Sequence, residues 1–192
     1  MNERSRLVIS AATILVALLC VQVTGCKTLS AQEQAAKRAE LDAMAEQTLA
    51  ALRESDPQFE PALESSLGYV VIDMSVAKIP VIGTGSGAGV VVDKRNDERS
   101  YLRVSRFEVG GGMGAQKFQV VITFDDPQLL DRMIQGTWRF RAGAEAAVGS
   151  TSSVEGRSSA TKTEGYRAFR IVESGAVATV TVKVARARPW LE

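Results

Sequence analysis

The chain of 192 residues contains no histidine and only two cysteines, which narrows the chemistry that its side chains can perform. Without histidine, Ser-His-Asp and Cys-His catalysis are excluded, and the commonest transition-metal ligand is missing. The carboxylates worth considering are Asp73, Asp93, Asp125 and Asp126. Asp93 lies in a predicted turn, and the last two precede a helix, where they act as caps. No nucleophile–base pair or metal-ligand spacing accompanies them, so we predict a protein that is not an enzyme and has no cofactor or metal.

Cys26 is the residue with the most specific predicted chemistry. Arg4 and Arg6 form a positive segment, and an apolar run from Leu7 to Val21 follows them. This run is shorter than the roughly 20 residues that a spanning helix needs, and it is typical of a secretory signal. The next segment, VTGC at residues 23–26, resembles a bacterial lipobox, in which the cysteine is diacylated and becomes the mature N-terminus. The sequence therefore predicts a lipoprotein anchored at Cys26.

The lipobox also sets the predicted domain boundaries. Residues 1–25 form the signal peptide, residues 26–34 a tether, and residues 35–192 a single domain. Cys20 leaves with the signal, so the mature chain has no disulfide and is held together by its core. Lys27 stands where an aspartate would mark inner-membrane retention. We therefore expect an acylated protein, with palmitate on Cys26, in the outer membrane of a bacterial envelope and facing the periplasm.

Two groups of glycines surround a charged segment in the middle of the chain. Glycines at positions 83, 85, 87 and 89 fall on one face of a strand, and others occupy positions 110, 111, 112 and 114. Valines at 90–92 favour a continuing strand over a phosphate-binding loop, and no Walker ending is present. The pattern predicts a long hairpin with its tip at residues 94–99. Its bare faces would let a helix or another backbone pack closely.

Periodicity and capping signals predict the remaining elements. An amphipathic helix is expected from Ala35 to Ser55, and its acidic polar face favours packing on a core over lying on a membrane. A second helix covers Phe59 to Leu67 and ends at Gly68. A third begins after Asp125 or Asp126 and ends at Gly136. Strands are expected at 69–73, 118–124, 138–148, 166–173 and 176–187, with a turn at Ser174-Gly175 and a mobile loop over 149–165. Basic residues beside Trp190 fit either a membrane interface or a frayed terminus.

Several of these segments together resemble the SYLF lipid-binding domain family. They are GYVVI at 68–72, the GTGSGAGVVV strand, VGGGMGAQKFQVVITF, the DDPQLLDRMIQGTW helix and FRAGAEAAVG. The match runs from about Glu40 to the end of the chain. It implies an α+β fold, with a curved antiparallel β-sheet or partly closed barrel and packed helices. It also implies binding of phosphoinositides or other anionic lipids in eukaryotic members, and actin binding in some. Similar bacterial members are often envelope lipoproteins without an assigned activity.

The predicted function is therefore a lipid-anchored envelope protein whose SYLF-like module binds phospholipid or another amphiphile. The alternative is a non-enzymatic structural lipoprotein that presents a surface to a protein partner. A net charge of +1 gives no reason to expect nucleic acid. Candidate contacts to lipid headgroups are the basic residues on or beside the hairpin, Lys78, Lys94, Arg95, Arg103 and Arg106. For any one of them taken singly, an ordinary solvated charge is the favoured interpretation.

Overall fold

The computed structural model describes residues 29–142 and 158–191, of which 140–142, 158–162 and 175–184 are described by their backbone alone. The predictions for the signal peptide, Cys26, residues 143–148 and residues 149–157 lie outside this part of the chain. Within it the chain forms three helices: α1 (Ala31–Ser55), α2 (Phe59–Ser65) and α3 (Pro127–Ile134). It also forms six strands: β1 (Gly68–Lys78), β2 (Ile82–Asp93), β3 (Glu98–Phe124), β4 (Arg139–Ala142), β5 (Ser158–Thr163) and β6 (Tyr166–Pro189).

The strands form one antiparallel sheet in which long strands wrap around a central hairpin. β1 and β2 form this hairpin. β3 pairs with β2 through its first half and with β1 through its second half, so it bends around the turn between them. β6 follows the other edge of β3 from Leu102 to Phe124, and β4 and β5 pair with β6. The predicted α+β class with a curved antiparallel sheet is confirmed.

The alternating glycines of β2 lie where β1 comes nearest. A Cβ atom at Gly87 would lie within 3.0 Å of the carbonyl oxygen of Asp73, and one at Gly89 would lie equally close to that of Val71. Side chains crowd on the concave side of a curved sheet, so residues without a side chain permit the curvature. The prediction that another backbone packs against this bare face is confirmed, and that backbone is strand β1.

The second glycine group lies where β3 bends. Gly110, Gly112 and Gly114 have φ angles of 136°, 140° and 138°, which L side chains rarely adopt. These residues therefore need to be glycine for their conformation. Gly111 differs, because its φ is ordinary and nothing lies within 4 Å of the position a Cβ would take.

Both faces of the sheet are packed near its centre. On the face that we call the inner face, alternate β1 residues pack with Leu130 and Met133 of α3. These β1 residues are Val70, Ile72, Met74 and Val76. On the opposite, outer face, Val71 and Val121 pack against α1 and α2. The helix α1 thus packs on the core, as predicted, through Leu41, Ala45, Thr48, Leu49 and Leu52.

Several predicted boundaries are wrong. α1 begins at Ala31, inside the predicted tether. The C-cap of α2 is Ser66 in an extended conformation, whereas Gly68 already belongs to β1. Ser158–Thr163, predicted as loop, is strand β5, because the edge of β6 offers it a hydrogen-bonding partner. The predicted turn at Ser174-Gly175 does not exist. β6 continues through it with a register shift opposite Lys117, because pairing along the whole of β3 outweighs the local turn preference.

The capped helix α3 agrees with its prediction. The Asp126 side chain accepts hydrogen bonds from the backbone N–H groups of Gln128 and Leu129 at 2.7 and 3.4 Å. Pro127 occupies the first turn, and Gly136 follows the helix with a φ of 65°.

We expect Asp126→Ala to lower the free energy of unfolding by about 1 kcal/mol and the melting temperature by about 2–4 °C. Asp125→Ala, at an exposed neighbouring position, is the control. Indistinguishable melting curves for the two variants would contradict the cap assignment.

Candidate functional site

Two of the predicted headgroup contacts fasten the β2–β3 turn to the helices. Lys94 Nζ donates to two carbonyl oxygens at the end of α2, at 2.8 and 3.0 Å. Arg95 bonds both carboxylate oxygens of Asp93, at 2.9 and 2.7 Å, and also reaches Asp131 of α3 at 2.6 Å. The hydrogen bonds from Arg95 hold the pKa of the Asp93 carboxyl below its ordinary value. Both cations therefore have structural partners in the folded domain.

Arg103 lies on β3 opposite Ala88 of β2, beside the C-terminal segment. Its guanidinium is 4.1 Å from the ring centroid of Trp190, a cation–π contact. The backbone N–H of Trp190 donates to the carbonyl oxygen of Tyr101 at 2.8 Å. Trp190 is therefore packed on the sheet and not part of a frayed terminus. A cavity of about 200 Å³ opens beside it, with Arg38 and Arg99 in its lining.

Lys78 and Arg106 are the two predicted contacts that the fold brings together, and both lie on the inner face. The Lys78 side chain is 2% exposed, and its Nζ is 3.9 Å from Glu108 Oε2. Arg106 Nη2 is 2.5 Å from Glu108 Oε1. Arg170 Nη2 donates to Gln116 Oε1 close by. We call Lys78, Arg106, Glu108, Gln116 and Arg170 the inner charged cluster.

The inner charged cluster surrounds an aromatic ring and contains a perturbed arginine. The Arg170 guanidinium lies 4.0 Å from the ring centroid of Phe118, and that of Arg106 lies 5.6 Å from it. Burial lowers the pKa of Arg170 to about 10, with a further contribution from the neighbouring Arg106. At neutral pH the group remains protonated, so the cluster holds three cations and one carboxylate.

A surface that the sequence analysis missed lies where β3 bends around the β1–β2 turn. Six large apolar side chains there are 44–69% exposed. We call them the apolar tip: Ile79, Val81, Ile82, Phe107, Val109 and Met113. Isolated exposed apolar residues are ordinary, but an exposed group of this size marks an interaction surface.

The apolar tip arises because the two faces of the sheet exchange polarity at this end. Along β3, buried Leu102 and Val104 are followed by half-buried Arg106 and buried Glu108, while their neighbours point outward. Along β1, the buried row that begins at Val70 ends with the buried Lys78. Charged side chains thus occupy the interior and apolar side chains the exterior, the reverse of a water-soluble surface.

Near the apolar tip, the outer face of β3 carries no charged side chain. Its outer-face positions from Ser105 to Ala115 read Ser, Phe, Val, Gly, Met and Ala. The basic residues Arg103 and Lys117 flank this stretch on the same face, and both are exposed. The register sets Val184, Val182 and Val180 of β6 opposite Phe107, Val109 and Gly111. Apolar residues of β6 are therefore the ladder partners of this stretch of β3.

The backbone of the apolar tip is hydrogen-bonded within the tip itself. The N–H of Ile79 donates to the carbonyl oxygen of Ile82 at 3.0 Å. The N–H groups of Gly110 and Gly112 donate to the carbonyl oxygens of Val81 and Pro80 at 2.9 and 3.3 Å. Backbone groups paired in this way can enter an apolar medium without the penalty of unsatisfied donors and acceptors.

The candidate catalytic carboxylates are dispersed. Asp93 is engaged by Arg95, and Asp126 caps α3. Asp73 is exposed on the outer face, and its pKa is raised mainly by partial burial. In the part of the chain that the structure describes, no three potential metal-ligating side chains come together. None of the helices in that part has the length and apolar character to cross a bilayer.

The fold and the apolar tip define an α+β protein with a curved antiparallel sheet and an apolar surface at one end. No family model matches the chain. It is a distant relative of Beta cell expansion factor A from Aeromonas veronii, with 24% identity over 156 residues, or 81% of this chain. The chain spans 57% of the length of that relative. Among solved structures, the virulence-associated protein VapD from Rhodococcus equi is 12% identical and covers 64% of this chain and 96% of its own. Its TM-score of 0.30 is too low to support an argument.

Proposed function

We propose that this protein is a lipid-anchored bacterial envelope protein whose SYLF-like module binds phospholipid through the apolar tip. Cys26 is the anchor, and the module lies on the periplasmic side of the outer membrane. The reversed polarity of the tip, with charges inside and apolar side chains outside, carries the proposal. The sequence resemblance to SYLF modules supports it, as does the distant relationship to Beta cell expansion factor A. The protein performs no catalysis and binds no nucleic acid.

The tip suits the boundary between lipid headgroups and acyl chains. Transfer of a large apolar side chain from water to an apolar medium contributes about 1.5–3 kcal/mol. Arg103 and Lys117, on either side of the uncharged stretch of β3, would lie level with anionic headgroups as the stretch enters. A few inserted side chains give reversible binding, so the tip orients a protein that Cys26 already keeps at the membrane.

We expect the mature chain with Cys26→Ser, which lacks acyl chains, to float with vesicles of phosphatidylglycerol and phosphatidylcholine. The double variant Val81→Asp/Met113→Asp should bind these vesicles with an affinity lower by about tenfold or more, because charged carboxylates replace two inserted apolar side chains. Both positions are more than 60% exposed, so folding should be unaffected. Ser75→Asp, exposed on the same face but outside the tip, is the matched control. Failure of the unacylated protein to float, or equal flotation of all variants, would contradict lipid binding through the tip.

The same exposed apolar surface also suits the alternative function, binding of a protein partner in the envelope. Crosslinking in cells separates the two. A reproducible protein partner that disappears in Val81→Asp/Met113→Asp, combined with absence of flotation, would favour the structural lipoprotein.

A further inference from the structure

The inner charged cluster takes no part in the proposed insertion of the tip, although it lies directly behind it. Lys78 Nζ, Arg106 Nε and Arg170 Nε are buried and have no hydrogen-bond partner among the described residues. Lys78 ends the buried row of β1, and Arg106 begins the charged stretch of the inner face of β3. Each of the three basic side chains of the cluster thus has a buried donor without a hydrogen-bond partner among the described residues.

The charge of this region is not balanced by its own described residues. The carboxylate of Glu108 contacts both Lys78 and Arg106. Gln116 supplies an oxygen to Arg170 but no charge. Arginine stays protonated in a protein, and Glu108 is the one carboxylate of the cluster, so full neutralisation of Lys78, Arg106 and Arg170 requires a further anion. Buried positive charge without a counter-charge is strongly unfavourable, whereas an oxyanion would accept hydrogen bonds from all three free donors.

The inner face beside the cluster is lined by residues without side chains. Between Glu108 and Gln116, the inner-face positions of β3 are Gly110, Gly112 and Gly114, which have no side chains. Gly83 of β2 lies against Lys78 and Glu108, where even a Cβ atom would be a tight 3.3 Å from each side chain, so a larger residue at this position would crowd the cluster. The cluster is therefore bordered by bare backbone on two strands.

We infer that the inner charged cluster is a binding site for a phosphate group, held by Lys78, Arg106 and Arg170. Two sources have this chemistry. One is the headgroup of a phospholipid engaged by the adjacent apolar tip, a case that rests on the proposed function. The other is free phosphate or a small phosphate compound, which requires no membrane binding.

The test measures melting temperature on the mature chain with Cys26→Ser at constant ionic strength. The probes are inorganic phosphate, with chloride as reference, and a short-chain phosphatidic acid kept below its micelle concentration. A ligand that binds only the folded state should raise the melting temperature by about 5 °C when it is saturating. Lys78→Met, which keeps the side-chain length but removes the charge, should abolish the shift. Lys37→Met, at a lysine of α1 that pairs with Glu40 outside the cluster, should keep it.

The results distinguish a lipid headgroup from free phosphate as the ligand, and phosphate binding from membrane binding by the apolar tip. A response to inorganic phosphate identifies a free-phosphate site, and a response to phosphatidic acid alone identifies a lipid headgroup site. No shift with either probe, or the same shift in Lys78→Met, overturns the inference. Equilibrium dialysis of radiolabelled phosphate, or of the labelled lipid, with the protein that retains Lys78 measures binding without any variant of the site. If Lys78→Met fails to fold, Lys78→Arg takes its place, and this variant, which keeps the positive charge, should bind the probe. Val81→Asp/Met113→Asp should retain the response to free phosphate. Loss of membrane binding by the apolar tip can therefore be distinguished from loss of phosphate binding by the inner charged cluster.

Discussion

Gly87→Ala should lower the melting temperature of the domain by about 10 °C or more, whereas Gly111→Ala should leave it unchanged or slightly raised. The added methyl group at Gly87 would lie within 3.0 Å of the Asp73 carbonyl oxygen and of Met74 Sδ. The methionine can change rotamer, but the carbonyl belongs to the β1–β2 ladder and can retreat only if the ladder breaks. Overpacking of this kind typically costs about 1–3 kcal/mol, and more where backbone must move.

Gly111 is the matched control because it belongs to the same sheet and receives the same methyl group. Nothing lies within 4 Å of its Cβ position. Replacement of glycine by alanine at such a position raises the free energy of unfolding by about 0.4–1 kcal/mol, because the unfolded chain loses conformational freedom. Thermal unfolding of the two unacylated variants, followed by circular dichroism, gives the comparison. Equal melting temperatures would show that the inner face of β2 is not closely packed and that the curvature of the sheet does not depend on its glycines.

Cys26→Ser should release the protein from the membrane fraction without unfolding the domain. The several acyl chains of a lipoprotein cysteine hold a protein far more firmly than the marginal binding of one chain or of a few inserted side chains. The wild-type chain should therefore need detergent for extraction. The serine variant, exported behind a cleavable secretory signal that has no lipobox, should leave the membrane on dilution and a high-salt wash.

The retained signal peptide is the main alternative cause of membrane attachment, so mass spectrometry of the wild-type protein accompanies this experiment. A mature N-terminus at an acylated Cys26 is the expected mass. An intact N-terminal segment in the wild-type protein, or a serine variant that stays with the membrane after washing, would show that the anchor lies elsewhere. Identical melting temperatures of the two forms show that the domain folds without its lipid.

The amino-acid sequence alone determined the features that depend on neighbouring residues or on a regular period. Asp126, Pro127 and Gly136 delimit α3, because a cap bonds backbone groups only two or three residues away. The glycines at alternate positions of β2 predicted a closely packed bare face, because a strand has a period of two. The α+β class with a curved sheet was what the resemblance to the SYLF family implied. Cys26 was likewise identified by its immediate context, and its acylation stays a prediction.

Only the tertiary structure decided which partners the longer strands have. Ser174-Gly175 indicates a turn when read locally, yet β6 passes through it because it pairs with β3 over its whole length. Ser158–Thr163 became a strand for the same reason, since the edge of β6 was available to it. Such pairings join residues far apart in the chain, and no local preference specifies them.

The polarity of the two faces was also decided only in three dimensions. Arg106, Phe107, Glu108 and Val109 alternate, so the sequence shows that charged and apolar side chains occupy opposite faces. It does not show which face is covered, and the usual expectation places the charges outside. Here β3 bends around the β1–β2 turn, and its charged face lies on the inner side of the bend. Arg106 and Lys78 there contact Glu108. Phe107 and Val109, on the other face, remain exposed. The inner charged cluster and the apolar tip both result from this bend, because curvature, and not composition, determines which side of a strand is sealed from water.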